Sequence, residues 1–399
     1  MGLNAQPHVL VVGGGPAGSS TATHLARAGV NVTIIDHAQF PREKACAEYC
    51  SPGVVDALDD LGALDRIRQR DHVWLSSMQV VAHSRPIPLN FDTHRPDGNP
   101  ALGIRRTVLD EELLRLAADS GACVREKTRA IRPIITDGVV SGVVVNSDDR
   151  EYEIRADFTV VADGIHSTIA RSLDLHRPIR WPNRLGLVAH FTGMPEPIRA
   201  GQMHIGDGIY SGLSPVSEHE ANVSLVVPMG SKPKGMSTGD FYGATIRTIP
   251  GIDQLLGDAQ RISRVRGVGP LGKRARKPSG RGYLLVGDAA GFFDPLTGEG
   301  IHRALNGGKL AARATRKALE RRDRRPVGYR RARREMLRDK QRVCQIIQLL
   351  LEVPGALTYV ADRARERKTA NQTLSGVLGD YASPRQAFHP KFLRDLLRP

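Results

Sequence analysis

Apolar residues recur along this chain in two rhythms. His8-Val-Leu-Val-Val12 and Asn31-Val-Thr-Ile-Ile35 are short, unbroken runs, the pattern of parallel strands buried on both faces. The segment between them predicts a helix closed by Gly29. Phe158-Thr-Val-Val161 and Gly282-Tyr-Leu-Leu-Val286 repeat the strand pattern far downstream. Helical spacing marks 52–62, closed by Gly62, and 106–118, with apolar residues at 109, 113, 114, 116 and 117 and Gly121 beyond. Strands are predicted at 130–136, 139–146 and 151–156, with Asp137-Gly138 as a hairpin turn. From about 180 to 275 the pattern alternates and is rich in turns. Segments 185–191, 208–213 and 222–227 read as strands of a separate antiparallel sheet, and 240–248 as a helix. Strand-like runs at 73–89 are interrupted by Pro86 and Pro88. From 298 the chain reads as helical; Val343, Ile346, Ile347, Leu350 and Leu351 share a face before Pro354 interrupts.

Glycines give the first run its chemistry. Gly13, Gly15 and Gly18 form G-x-G-x-x-G where strand 8–12 meets its helix, with Pro16 and Ala17 at the helix start. Such a turn lets backbone approach a pyrophosphate, and the helix N-terminus offers free N–H groups to it. The second strand ends at Asp36, about 20 residues on, where an acidic residue binds a ribose hydroxyl. Strand, glycine turn, helix, second strand and acid together predict a dinucleotide site.

Charge changes the picture less than its size suggests. The formal net charge is +15, a balance common in nucleic-acid binders. Yet Lys309 to Arg342 holds 15 Lys/Arg against 4 Asp/Glu, so the excess is local. Aromatic residues make up only 5% and offer no stacking platform, so no nucleic-acid partner is expected. The basic stretch reads as a solvated helix face, or as a surface for peripheral contact with anionic lipid. The four cysteines show no zinc spacing and no disulfide framework, and no metal site is expected. The first strand begins by residue 8, leaving no room for a signal peptide, and 1–6 lacks the Ser/Thr of a myristoylation site. The apolar run 346–351 is too short to span a bilayer. A cytoplasmic location is the expectation; the oligomeric state is left open.

Two further segments complete a resemblance. Val161-Ala-Asp-Gly-Ile-His-Ser-Thr-Ile-Ala-Arg171 and Tyr283 to Ile301, with Gly287-Asp288 and Asp294-Pro-Leu-Thr-Gly-Glu-Gly300, are similar to the D-G and G-D motifs of a flavoprotein superfamily. With the glycine turn, they make the chain resemble the group A flavoprotein monooxygenases of the para-hydroxybenzoate hydroxylase fold and their relatives, the geranylgeranyl reductases and flavin-dependent halogenases. The resemblance covers most of the first 310 residues. It implies an α/β fold: a Rossmann-like FAD-binding domain of discontinuous segments (1–70, 101–175 and 276–320), an inserted antiparallel-sheet substrate domain (71–100 and 176–275) and a helical C-terminal region (321–399). It implies FAD, with NADH or NADPH as a transient reductant, since no second glycine turn exists for a resident nicotinamide. It places Asp163 and Gly164 near the pyrophosphate, and Asp288 on a ribityl hydroxyl. Pro295, Gly298, Gly300 and Ile301 fall at the flavin N1/C2=O edge, where a helix N-terminus stabilises negative charge. Arg42, Lys44 and Arg106 fall where the superfamily meets the flavin side; a surface arginine is the alternative for Arg42 and Arg106.

The loop Lys44-Ala-Cys-Ala-Glu-Tyr-Cys-Ser-Pro-Gly53 resembles a K-x-C-G-E-x-x-S-P-G stretch of a subgroup between hydroxylases and geranylgeranyl reductases, with Ala47 replacing its glycine. Cys46, Glu48 and Pro295 are the candidate catalytic residues. Cys46 reads either as a redox thiol beside the flavin or as a small buried residue. Glu48 reads either as a general acid/base or as a loop carboxylate with a basic partner. His190, His204 and Tyr210 are further candidates on the inserted sheet. The favoured expectation is an NAD(P)H-reduced monooxygenase acting through a flavin C4a-hydroperoxide on a small lipophilic or aromatic secondary metabolite. The alternative is reduction of carbon–carbon double bonds. A halogenase fits less well, because no Trp stands in 210–215. A non-redox FAD protein is the remaining option.

Overall fold

The computed structural model describes residues 7–82, 85–91, 95–353 and 355–397. A six-stranded sheet runs in the order Ser279–Gly280, Tyr283–Leu285, Phe158–Val161, His8–Val12, Asn31–Ile35, Cys123–Arg125. The last five strands are parallel, and Val9–Val12 lies in register with Phe158–Val161 on one side and Val32–Ile35 on the other. All of these but the edge strand Cys123–Arg125 are buried on both faces, which is why they read as unbroken apolar runs. Helices Pro16–Ala26 and Gly300–Leu319 cover one face. They pack so closely that a Cβ on Gly308 would stand 2.6 Å from Ser20 Oγ and 3.0 Å from Ala17 O. Ser20 Oγ donates across this contact to Leu305 O at 2.9 Å. The other face carries the antiparallel strands Arg129–Thr136, Val139–Ser147 and Arg150–Arg155. Asp137 and Gly138 turn the first hairpin with φ of +51° and +71°.

The inserted sheet is larger than the three predicted strands. Its order is Gln260–Arg261, Arg184–Thr192, Glu220–Pro228, Tyr210–Pro215, Gly201–Ile205, Ser77–Ala82, Arg85–Asn90, and Arg266–Val268 also pairs with Arg184–Thr192. Segment 208–213 is shifted: Gly208 has φ +68° and belongs to the turn, so the strand starts at Tyr210. Pro86 and Pro88 do not break their run. They lie in the last strand in that order, where a missing N–H costs no ladder bond. One face of the sheet packs on helices Thr238–Ile246 and Ile252–Leu256.

The C-terminal helices Tyr329–Glu352, Ala356–Glu366 and Lys368–Leu378 lie on part of the other face, along with Phe293 and Leu296. The predicted interruption at Pro354 falls outside the described residues. The Gly379–Asp380 turn anchors this region. Asp380 accepts from Lys340 Nζ at 2.6 Å and from Ser51 Oγ at 2.7 Å, and Gly53 N donates to Gly379 O. A Cβ on Gly53 would come within 2.4 Å of Asp380 O, so the turn sits directly on helix Pro52–Leu61. Burial pushes the Asp380 carboxyl up, but Lys340, His302 and Ser51 outweigh this and hold it below the usual carboxylate range.

Candidate functional site

The glycines of the first turn do two different jobs. Gly13 has φ +106°, and its Cβ would meet Ala162 O at 2.5 Å; a Cβ on Gly18 would meet Gly13 O at 1.8 Å. Close packing therefore demands both. Gly15 instead faces space bounded only by Arg42 Nη2, 3.4 Å from where a Cβ would stand. Pro16 opens the helix, and Ala17 Cβ lies 2.8 Å from the Cβ position of Gly287. Asp36 accepts from Gly14 N at 2.7 Å and Ala38 N at 2.8 Å. Burial pushes its carboxyl up, but His37 and these N–H groups hold it below the ordinary value.

The second segment starts a short helix. Ser167 caps Thr168–Ser172, and Asp163 Oδ2 accepts from Thr168 N at 2.9 Å. Asp163 Oδ1 is buried without a protein partner, and burial raises this carboxyl. Gly164, at φ +80°, has only Lys44 Nζ nearby, 3.7 Å from a Cβ position. Arg171 donates to His166 O rather than to an acid.

The third segment runs from Gly287 and Asp288, in a single 3-10 turn, to the N-terminus of helix Gly300–Leu319. A Cβ on Gly300 would meet nothing within 4 Å, and one on Gly298 only Tyr49, at 3.8 Å; Ile301 is buried behind them. Pro295 O accepts from Gly298 N. Before this turn stands Asp294, fully buried. Its Oδ1 takes Tyr210 Oη at 2.6 Å, Gln348 Nε2 at 2.7 Å and Leu296 N at 2.9 Å, while Oδ2 is buried without a partner. Arg184 reaches the group through Gln348 at 3.0 Å. Burial lifts the Asp294 carboxyl above its ordinary value, and burial beside Asp294 lifts the Tyr210 hydroxyl well above its own.

The 40–53 loop joins these parts. Glu48 is 1% exposed and sits at φ +57°. Its Oε1 accepts from Arg106 N at 2.7 Å, and its Oε2 lies 2.6 Å from His190 Nε2 and 3.1 Å from Asn222 Nδ2. Asn222 also donates to Cys46 O at 3.0 Å, and Cys46 Sγ, half-buried, receives Glu48 N at 3.5 Å. His190, Asn222 and Ser214 lie side by side on adjacent strands, forming a polar row beneath the loop. Glu48 thus has the basic partner that the sequence left as one option. Arg106 is not a surface arginine: its guanidinium forms a bidentate pair with buried Asp110 at 2.6 and 2.7 Å, and Arg42 joins the same carboxylate at 3.0 Å. Lys44 is held below the usual lysine range by burial and then by Arg106 and Arg42.

Of the sheet candidates, His190 reaches Glu48 and Tyr210 reaches Asp294, in two separate clusters. His204 does neither; it bonds Gln202 and Pro250 O. Asn222, Arg184 and Gln348 did not stand out in the sequence. Asn222 is a buried polar position among the apolar residues of its strand, and Gln348 a polar position in the apolar C-terminal half of its helix; these are the signals that would have found them.

Open glycine backbone at Gly15, Gly164, Gly298 and Gly300, basic side chains at Arg42 and Lys44, and an unpartnered Asp163 oxygen fit an extended dinucleotide. The comparison with known families agrees: the FAD binding domain model matches residues 6–319. The chain belongs to this FAD-binding family. It is an FAD-dependent oxidoreductase, and its fold is the one seen in flavin-dependent halogenases and in a geranylgeranyl bacteriochlorophyll reductase-like protein. The digeranylgeranylglycerophospholipid reductase of Methanospirillum hungatei is 29% identical over 328 residues, 79% of this chain and 77% of that protein. Reductase 1 of that name from Methanopyrus kandleri is 30% identical over 320 residues, covering 78% and 81%. Among solved structures, the flavin-dependent brominase Bmp2 superposes with TM-score 0.83 at 19% identity, over 94% of each chain, a likeness of fold.

Proposed function

We propose that this flavoenzyme reduces carbon–carbon double bonds in a lipophilic, prenyl-like substrate. The observation that carries the reading is the 29–30% identity to the two archaeal reductases across more than three quarters of this chain, against a likeness of fold alone to the brominase. The loop 44–53, which resembles a subgroup between the hydroxylases and the geranylgeranyl reductases, lies against the inserted sheet. Bound FAD, once reduced, supplies hydride to an alkene carbon. NADH or NADPH is the proposed reductant.

The chain's own residues then have defined tasks. The Gly13–Gly18 turn and the N-terminus of helix Pro16–Ala26 bind the pyrophosphate, with Arg42 beside Gly15. Asp36 and Asp288 take sugar and ribityl hydroxyls. Gly298 and Gly300 give free N–H groups at the start of helix Gly300–Leu319, where they stabilise developing negative charge. Glu48, held from three sides, fixes the Cys46 loop. Asp294, with its carboxyl raised by burial and one oxygen unpartnered, holds a proton at the start of the same turn. That proton is the one the second alkene carbon requires. The apolar cluster of Phe293, Leu296, Ile205, Ile347 and Leu350 excludes water behind it.

Monooxygenation of a small organic compound is the second reading, resting on the shared fold. The two separate by product. The protein is reduced anaerobically, a polyprenyl lipid is added, and flavin reoxidation and product mass are followed. Alkene-dependent reoxidation with gain of two hydrogens is expected. Reoxidation only on admitting O2, with one oxygen atom in the product, overturns the reductase reading.

A further inference from the structure

Helix Tyr329–Glu352 changes character along its exposed face. Its first half shows Arg331, Glu335, Arg338 and Arg342 to solvent, its last turns show Ile346 and Leu349, 45% and 53% exposed, and Val353, 55% exposed, follows directly after its end. At 100° per residue these three share one face. Trp181, 37% exposed, donates its indole N–H to Glu352 at the helix end. Ile346 does not join its predicted face-mates: Ile347, Leu350 and Leu351, on the adjoining inner side, pack on the cluster that reaches Phe293 and Leu296 beside the flavin turn, while Ile346 stays exposed. The helix end is therefore apolar on both sides. Core packing explains only the inner one, and three large aliphatic side chains gathered on an exposed face mark an interaction surface.

Charge decides among occupants. Residues 330–368 contain eleven Lys/Arg and five Asp/Glu, and the stretch 309–342 is more basic still. A second copy of the chain would bring the same positive field against itself; an anionic bilayer surface complements it. An aliphatic tip flanked by an indole and backed by arginines is the composition of a segment that lies at the headgroup boundary. Among the described residues no single helix is long and apolar enough to cross a membrane; the bent pair Tyr329–Glu352 and Ala356–Glu366 passes by length and composition alone, but both helices place residues such as Cys344, Leu357 and Ala361 in the core, which favours a peripheral contact. We infer that Ile346, Leu349 and Val353 dock the protein on an anionic lipid surface, and that a membrane-borne substrate enters beside this helix end toward the Asp294 turn. The entry step rests on the reductase reading; the docking does not. This inference centres the contact on the apolar tip, beyond the basic stretch that the sequence offered as one option.

The test reads binding without turnover. Purified holoprotein is floated with vesicles of phosphatidylcholine containing phosphatidylglycerol, and with vesicles of phosphatidylcholine alone. Binding to the anionic vesicles is expected, weaker to the neutral ones. The double variant Ile346→Asp/Leu349→Asp is expected to partition at least about tenfold less while keeping its flavin absorbance and reoxidation by a detergent-dispersed alkene. Equal flotation of variant and parent overturns the inference. So does failure of the parent to float, or a parent dimer that the variant turns to monomer in light scattering. Failure of the reductase reading leaves a different trace: vesicle binding with no alkene-dependent reoxidation.

Discussion

Glu48 concentrates the energetic risk of the site in one side chain. Removing it leaves His190 Nε2 and the Arg106 N–H without their acceptor in a buried space, and leaves the Asn222 amide only Cys46 O. Glu48→Ala should cost about 3 kcal/mol, and Glu48→Gln clearly less because an acceptor for Arg106 N survives. Urea unfolding of the three proteins checks the order; equal midpoints for alanine and parent would refute it. Asp294 makes the opposite demand. Its folded carboxyl is raised above the ordinary 3.8, so the native state binds its proton more tightly than the unfolded chain does. The charged form is penalised, and stability falls as pH rises from about 4 through the folded value. Asp294→Asn should flatten that decline, and in single turnover should slow alkene-dependent flavin oxidation, while anaerobic flavin reduction is unchanged. The sequence singled out Glu48, His190 and Tyr210 one by one, but not which of them pair. Glu48 lies 142 residues from His190 and 174 from Asn222, and only the fold brings them together.

Helices and turns carry the next level. The parallel strands and the helix at 106–118 were readable because each signal is local: an apolar run, a glycine, a helical period. The inserted sheet was half readable. Strand Gly201–Ile205 alternates over only four residues, too short a run to stand out, and its neighbour Ser77–Ala82 comes from a distant stretch of chain. Contact between the two flavin-facing helices depends on Gly308. Gly308→Val should force Pro16–Ala26 and Gly300–Leu319 apart, destabilise by about 1–3 kcal/mol and weaken FAD binding at least tenfold in a fluorescence titration. The Gly379–Asp380 turn predicts a pH effect of the usual carboxylate sign. Asp380 is depressed in the fold, so its contribution is present above 3.8 and lost as pH falls through the folded value. Asp380→Asn should therefore destabilise most at pH 7 and progressively less as pH falls below 3.8 in thermal melts.

Across the whole molecule, the cofactor closes a structure drawn from three distant stretches of chain. The site glycines and the orphan Asp163 oxygen belong to different segments, so FAD binds the native arrangement and not the unfolded chain. At a hundredfold excess over its Kd it should add about 2.7 kcal/mol, seen as a rise in melting temperature on FAD addition to apoprotein. No change in melting temperature would argue against the site.

The strand order also sets a timetable. Val9–Val12 is the middle of its sheet, yet the neighbour of Phe158–Val161 is not made until residue 285, nor the helix facing the glycine turn until 300. At roughly 5–20 residues per second, a nascent chain waits about 15–60 s between its first half-site and the last. Throughout that interval Leu10, Val11 and Ile34 lack their final cover, and chaperones meet them first. Chains stalled on the ribosome before residue 300 should retain no flavin, while those released past 380 should acquire it at once.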